Sequence, residues 1–149
     1  MTRNFNEVDW NKHPVSLLPK LAKLHDITGF EFQMYQSDKY GAARNVSFHN
    51  LPPENIVKNT KELIAAAEKN AKDVTINSRV QTSKGIRHLA LVDFDTPNRS
   101  DVDCALSRDW PALMQTSYEN IQLVKSGRSF HGYNVYSLLP ESEFMHYMN

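Results

Sequence analysis

Two aspartates at the end of an apolar run are the residues best suited to chemistry in this sequence. Asp93 and Asp95 follow the run Leu-Ala-Leu-Val at 89–92, which predicts a buried strand. Side chains two apart on a strand point to the same face, so the two carboxylates would project together. Carboxylate oxygens are the ligands that Mg²⁺ and Mn²⁺ prefer, and two of them can hold one such ion or bridge two.

The same pattern also has an ordinary explanation. Asp-x-Asp occurs again at Asp101 and Asp103, which we expect to lie in a loop. Asp95 is followed by Thr-Pro-Asn, which is common turn chemistry. The aspartate pair alone therefore leaves a metal site and a polar turn as alternatives.

A short basic turn that ends in a histidine is the second candidate. The sequence at 126–131 reads Ser-Gly-Arg-Ser-Phe-His, and Gly127 allows backbone amides to approach a ligand closely. Ser129 and His131 are two apart and would share one face of the following strand. The pattern predicts a phosphate-binding turn; a basic hairpin with a solvated histidine is the alternative. The polar members are Lys125, Ser126, Arg128, Ser129 and His131.

Composition limits the classes of function. Seventeen basic and seventeen acidic residues give zero formal net charge, so a nucleic-acid contact must rest on a local patch or on another chain or domain. Cys104 is the sole cysteine, which excludes an internal disulfide and a thiolate zinc cluster. No leader pattern and no apolar run of ~18 residues is present, so we expect a cytoplasmic protein with no membrane partner.

Periodicity predicts the elements that position these residues. Together they predict one α+β domain over 1–149, with a mainly antiparallel sheet, flanking helices and a flexible arm at 1–13. The sequence also predicts a polar connection from Asp38 to Asn45 and a strand break at 96–100. Predicted helices lie at 14–25, at 56–69 after two prolines, at 110–118 and after Pro140. Predicted strands lie at 30–35, 74–81, 86–94, 120–125 and 130–139.

The order of the two motifs resembles the archaeo-eukaryotic primase superfamily, which includes primase small subunits and primase-polymerases. The first family motif, an apolar run followed by Asp-x-Asp, is matched by Leu-Val-Asp-Phe-Asp at 91–95. The second, Ser-x-His after Ser-Gly-Arg, is matched at 126–131. The resemblance covers about 86–139 and implies a primase-polymerase-like fold.

That resemblance implies nucleotidyl transfer on a nucleic-acid template, with nucleoside triphosphates and single-stranded nucleic acid as partners. Asp93 and Asp95 would hold Mg²⁺ or Mn²⁺, and His131 would act with them. The residues implied to contact the nucleotide phosphates are Ser126, Ser129 and His131, with Lys125 and Arg128 as weaker candidates.

The chain departs from the family at its third motif, an acid on a later strand. Only Glu141 and Glu143 follow His131, at a predicted helix start. Either one of them substitutes or the third acid lies outside this sequence. The departure keeps a non-catalytic nucleotide or nucleic-acid binding module as the main alternative, beside a metal-dependent nuclease and an interaction domain with coincidental motifs.

Overall fold

A computed structural model describes residues 8–94, 97–106, 121–126 and 129–148. The chain divides into two compact units, residues 1–85 and 86–149, which are described separately. The single domain expected from the sequence stays a prediction. None of the helices in the described ranges has the length and apolar character that crossing a bilayer requires.

The first unit contains a 3-10 helix with a side-chain cap and two α-helices. A 3-10 helix, Pro14–Leu17, starts where the Val15 amide donates to Nδ1 of His13 at 3.1 Å. It leads into α1 (Leu18–His25), which ends at Asp26 in the left-handed region. The longer α2 (Ile56–Lys69) follows the two prolines as predicted and buries Ile56, Thr60 and Ala67.

Three antiparallel strands complete the first unit in the order β2-β1-β3. They are β1 (Ile27–Ser37), β2 (Ala43–Leu51) and β3 (Asp73–Thr82). Phe30, Phe32 and Met34 alternate along β1 and are 0%, 3% and 7% exposed, so one face of this sheet is buried. Strands β1 and β3 confirm and extend the predicted strands.

The predicted connection from Asp38 to Asn45 is wrong in its second half, because β2 begins at Ala43. This strand lies at the edge of its sheet. Its first four side chains are exposed, and half-buried and exposed side chains alternate from Ser47 to Leu51. Residues 43–45 thus have no buried position and no apolar pattern that would indicate a strand.

The second unit is also an antiparallel sheet with helices, which confirms the α+β class. Its strands are β4 (Gly85–Phe94), β5 (Ile121–Ser126) and β6 (Ser129–Pro140), in the order β4-β6-β5. Its helices are α3 (Arg99–Leu106) and α4 (Glu141–Met148). The three strands and the helix after Pro140 agree with the prediction, whereas the predicted helix at 110–118 lies outside the described residues.

Helix α3 corrects the prediction of a loop around Asp101 and Asp103. Oδ1 of Asn98 accepts the Ser100 amide at 3.1 Å, so the presumed turn residue is a helix cap. Arg99 and Asp103 form an i,i+4 ion pair at 3.0 Å, and Val102 is fully buried. The second Asp-x-Asp pair is therefore spread around a helix instead of sharing a strand face.

Helix α4 is fastened to β4 by an aromatic stack. The rings of His88 and Phe144 lie 4.0 Å apart at an interplanar angle of 4°. His88 is 7% exposed, so the stack covers a polar ring that would otherwise face water. Stacked rings of this kind contribute about 0.5–1.5 kcal/mol beyond the area that they bury.

We expect Phe144→Ala to lower the free energy of unfolding by about 2 kcal/mol, since the half-buried ring loses both its packing and its stack. Chemical denaturation monitored by circular dichroism would measure the change. Glu143→Ala, an exposed position on the same helix, is the matched control and should change stability by less than about 0.5 kcal/mol. Equal effects of the two substitutions would contradict the proposed anchoring.

The turn between β1 and β2 is organised by one carboxylate. Oδ1 of Asp38 accepts the amides of Tyr40 and Ala42 at 2.8 and 2.9 Å, and Oδ2 accepts Nε of Arg44 at 3.2 Å. The Ala42 amide and then the Tyr40 amide hold the pKa of Asp38 below its ordinary value of 3.8; desolvation opposes them, and the hydrogen bond from Arg44 makes the smallest contribution to the lowering.

The lowered pKa sets the pH range in which this turn is stable. The stabilisation is complete above the ordinary value of 3.8 and is lost as the pH falls through the lower, folded-state pKa. Carboxyl NMR titration should therefore place the Asp38 pKa below 3.8, with matching transitions at the Tyr40 and Ala42 amides. Asp38→Asn should abolish those amide transitions, and an Asp38 pKa above 3.8 would refute the account.

Candidate active site

The pairing of β4 with β6 brings the two sequence motifs together. Asp93 is the register partner of His131, and His131 is in turn paired with Val124 of β5. Residues directly opposite each other in antiparallel strands occupy the same face of the sheet. The backbone therefore sets the first aspartate beside the histidine, although 131 lies far from 93 in sequence. The Asp93 side chain and Asp95 lie outside the described part of the structure.

The two faces of this sheet differ in burial. Phe94 pairs with Phe130, and each is 8% exposed, while Asn134, four residues further along β6, is 0% exposed. His131 and Tyr133 alternate with these residues and are half-buried. Since alternation puts His131 on the opposite face from Phe130, the histidine lies on the more accessible side.

Tyr133 is a neighbour of the histidine that the sequence interpretation did not single out. Its hydroxyl lies 3.5 Å from Nδ1 of His131, at the outer limit of a hydrogen bond, and the two rings meet edge to face with centroids 6.3 Å apart. The signal was present in the sequence, because Tyr133 is two residues after His131 and so shares its face. Tyr133 thus gives His131 a polar neighbour at Nδ1 on the same face of the sheet.

The remaining residues of the turn divide between the two sets of alternating positions on β5 and β6. Ser126 pairs with Ser129, which is two residues before His131 and thus has the same parity on β6. Lys125 instead pairs with Phe130, the strand position that alternates with His131. The backbone therefore groups the two serines with His131 and puts Lys125 in the phenylalanine row. Arg128, with Gly127, lies outside the described residues, as do the side chains of Lys125 and both serines.

Glu141 is placed beside a different residue. Its Oε1 lies 3.8 Å from Nε2 of His88, five positions before Asp93 on β4. At about 3.3 Å per residue, His88 and Asp93 are roughly 16 Å apart along the strand. Glu141 thus lies near the opposite end of β4 from Asp93, and Glu143 is an exposed residue of the same helix. Among the described side chains, no three from His, Cys, Asp and Glu gather into a metal site.

Comparison with known families finds a match that is wider than the two motifs. A family model described as AEP-like, archaeo-eukaryotic primase 1D-like, matches residues 53–149, which is 97 of the 149 residues. The match begins just before α2, so it includes α2 and β3 in addition to the region 86–139 that carries the motifs. No curated protein and no solved structure matches the chain.

Proposed function

This chain belongs to the AEP-like, archaeo-eukaryotic primase family, and on that premise we propose that it is a primase-polymerase-like nucleotidyltransferase. It would join nucleotides on a single-stranded nucleic-acid template with the help of Mg²⁺ or Mn²⁺. The observation that carries the proposal is the register of β4 and β6, which pairs Asp93 with the half-buried His131.

The residue types at Asp93, Asp95 and His131 suit a metal–triphosphate complex. Asp93, with Asp95 two residues later, offers the hard carboxylate oxygens that Mg²⁺ and Mn²⁺ prefer. An imidazole nitrogen is a poorer ligand for these hard ions than a carboxylate oxygen. His131 is therefore better suited to donate a hydrogen bond to a phosphate oxygen. The bound ions would supply the positive charge that offsets the triphosphate and the leaving pyrophosphate.

The chain's own contribution is chiefly positioning. His131 would donate from Nε2 to a phosphate oxygen, and the Tyr133 hydroxyl at Nδ1 would orient the ring. Ser126 and Ser129, paired with each other beside this row, are the hydroxyl candidates for the same phosphates. Phosphoryl and nucleotidyl transfer require little covalent chemistry from the protein, so a fixed orientation of the triphosphate accounts for much of the catalysis.

Asp93→Asn should lower the rate of metal-dependent nucleotide incorporation by about 100-fold or more, because a neutral amide replaces a charged ligand of the ions that stabilise the reacting phosphates. Extension of a labelled primer on a single-stranded template, with Mn²⁺ or Mg²⁺, measures the rate. Asp101→Asn is the matched control, since it alters an exposed acid of the other Asp-x-Asp pair, on α3. A wild-type chain that incorporates nothing, or an active Asp93→Asn chain, would sink the proposal.

His131→Ala should raise the dissociation constant for a nucleoside triphosphate by about 10- to 100-fold, as expected from losing a hydrogen bond to a charged group. Calorimetric titration in the presence of Mn²⁺ gives this constant directly. Tyr133→Phe, which removes only the hydroxyl at Nδ1, should have a smaller effect. His25→Ala, at the end of α1 in the first unit, is the control and should bind like the wild type. Unchanged binding by His131→Ala would contradict the assignment.

The position of Glu141 favours a second candidate, a nucleotide-binding module without catalysis. A third acid beside Asp93 would complete a metal site of the kind the family uses, and Glu141 lies beside His88 instead. The two functions separate in the same experiments: the module binds triphosphate in a His131-dependent way while incorporation stays absent. Turnover by the wild-type chain excludes it.

A further inference from the structure

The hairpin formed by β1 and β2 exposes more apolar surface than its fold requires. Tyr40 in its turn is 82% exposed, and Phe48 and Val46 on β2 are 63% and 41% exposed. The other large apolar side chain exposed within the described ranges is Leu24, on α1. Single exposed apolar residues are ordinary, but three within one hairpin indicate a surface used for binding.

Phe48 and Val46 belong to the open face of the first unit's sheet. Phe48 pairs with Gln33, the β1 position between buried Phe32 and Met34, so it faces away from the core. Val46 and Asn50 share this parity and are exposed, whereas Ser47 and His49 between them are half-buried. An exposed aromatic ring among amide side chains suits a ligand that has both flat faces and hydrogen-bonding edges.

Charge is divided between the two units in a way that the whole-chain total conceals. Residues 1–85 contain twelve lysines and arginines against nine aspartates and glutamates, whereas residues 86–149 contain five against eight. In the hairpin itself, Nζ of Lys39 lies 4.9 Å from the Tyr40 ring, and Arg44 is nearby on β2. The excess of bases in the first unit therefore favours a polyanionic ligand there.

The acids near this surface are already engaged. Asp38 accepts the two turn amides and Nε of Arg44, and Glu31 on the open face accepts the Asn77 amide at 2.7 Å. The Asp38 bonds also fix the turn before any ligand arrives, so less conformational entropy is lost on binding. The hairpin is thus a preorganised surface with exposed rings and cations.

We propose that this hairpin surface, defined by Lys39, Tyr40, Arg44, Val46 and Phe48, binds single-stranded nucleic acid. Bases would stack on Phe48 and Tyr40, while Lys39 and Arg44 approach the phosphates. Stacking explains the exposed rings, which a duplex with its bases already stacked would not use. The inference rests on the proposed function in that the bound strand is its template.

Phe48→Ala should weaken binding of a fluorescein-labelled oligodeoxythymidine by about 5- to 100-fold, the usual effect of removing one stacking ring. Fluorescence anisotropy with EDTA and without nucleotide measures it. Phe48→Trp keeps an aromatic face and should restore binding. Leu24→Ala, which removes an exposed apolar side chain from α1, should stay within about twofold of the wild type.

Lys39→Ala should reduce the salt dependence of the same binding, lowering the slope of log K against log salt by about 0.7, as one phosphate contact on a single strand predicts. Lys69→Ala, an exposed lysine at the end of α2, is the matched control and should keep the wild-type slope. An unchanged slope in Lys39→Ala would remove the phosphate contact from the proposal.

Wild-type oligonucleotide binding by Phe48→Ala would overturn the inference, provided that its thermal melt matches that of the wild type. Sedimentation velocity adds a second test: if Phe48→Ala only converts a dimer into a monomer, the hairpin is a self-association surface and the inference is wrong. The binding assay contains EDTA and is therefore independent of turnover. Phe48-dependent binding in that assay, combined with no primer extension in the separate assay with Mg²⁺ or Mn²⁺, would overturn the proposed catalysis alone. Extension by the wild type with unaltered binding by Phe48→Ala would overturn the hairpin assignment alone.

Discussion

The pairing of β4 with β6 is the interaction on which the candidate site depends. A slip of one residue would carry His131 to the face that Phe130 now occupies and would separate it from Asp93. Burial prevents that slip, because Phe94, Phe130 and Asn134 would have to leave the core face together. Each large apolar side chain moved into water costs about 1.5–3 kcal/mol, so the register of the site is fixed by the phenylalanine row on the other side of the sheet.

The sequence was sufficient for the strands of this sheet but not for their register. The apolar run before Asp93 and the alternation after His131 each predicted a strand, and both were confirmed. Parity along one strand also related Ser129 to His131. Contacts between residues far apart in sequence decide which residue faces Asp93. The β4–β6 pairing also contains an irregularity between Leu89 and Ala90, which shifts the register. Local periodicity contains no information about such a shift.

The two elements that were mispredicted failed for different physical reasons. Strand β2 lies at a sheet edge, and the residues at its start, 43–45, are all exposed, so this part of the sequence shows no apolar pattern. Helix α3 was obscured by Asn98, since the residue types that make turns also cap helices. An asparagine is therefore compatible with either a turn or the start of a helix. Which of the two forms depends on whether a following apolar residue, here Val102, is buried in the core.

The division of charge resolves a conflict that any metal-dependent enzyme acting on a polyanion must meet. Carboxylates suited to bind divalent ions repel phosphates whenever the ions are absent. In this chain the bases outnumber the acids by twelve to nine in residues 1–85, whereas the acids outnumber the bases by eight to five in residues 86–149. The strand binding that we propose for the first unit therefore does not require the metal. The exposed rings of Tyr40 and Phe48 strengthen that independence, because stacking does not depend on ionic charge. Zero net charge in the whole sequence is thus compatible with binding of nucleic acid by one unit, because the excess of bases in residues 1–85 offsets an equal excess of acids in residues 86–149.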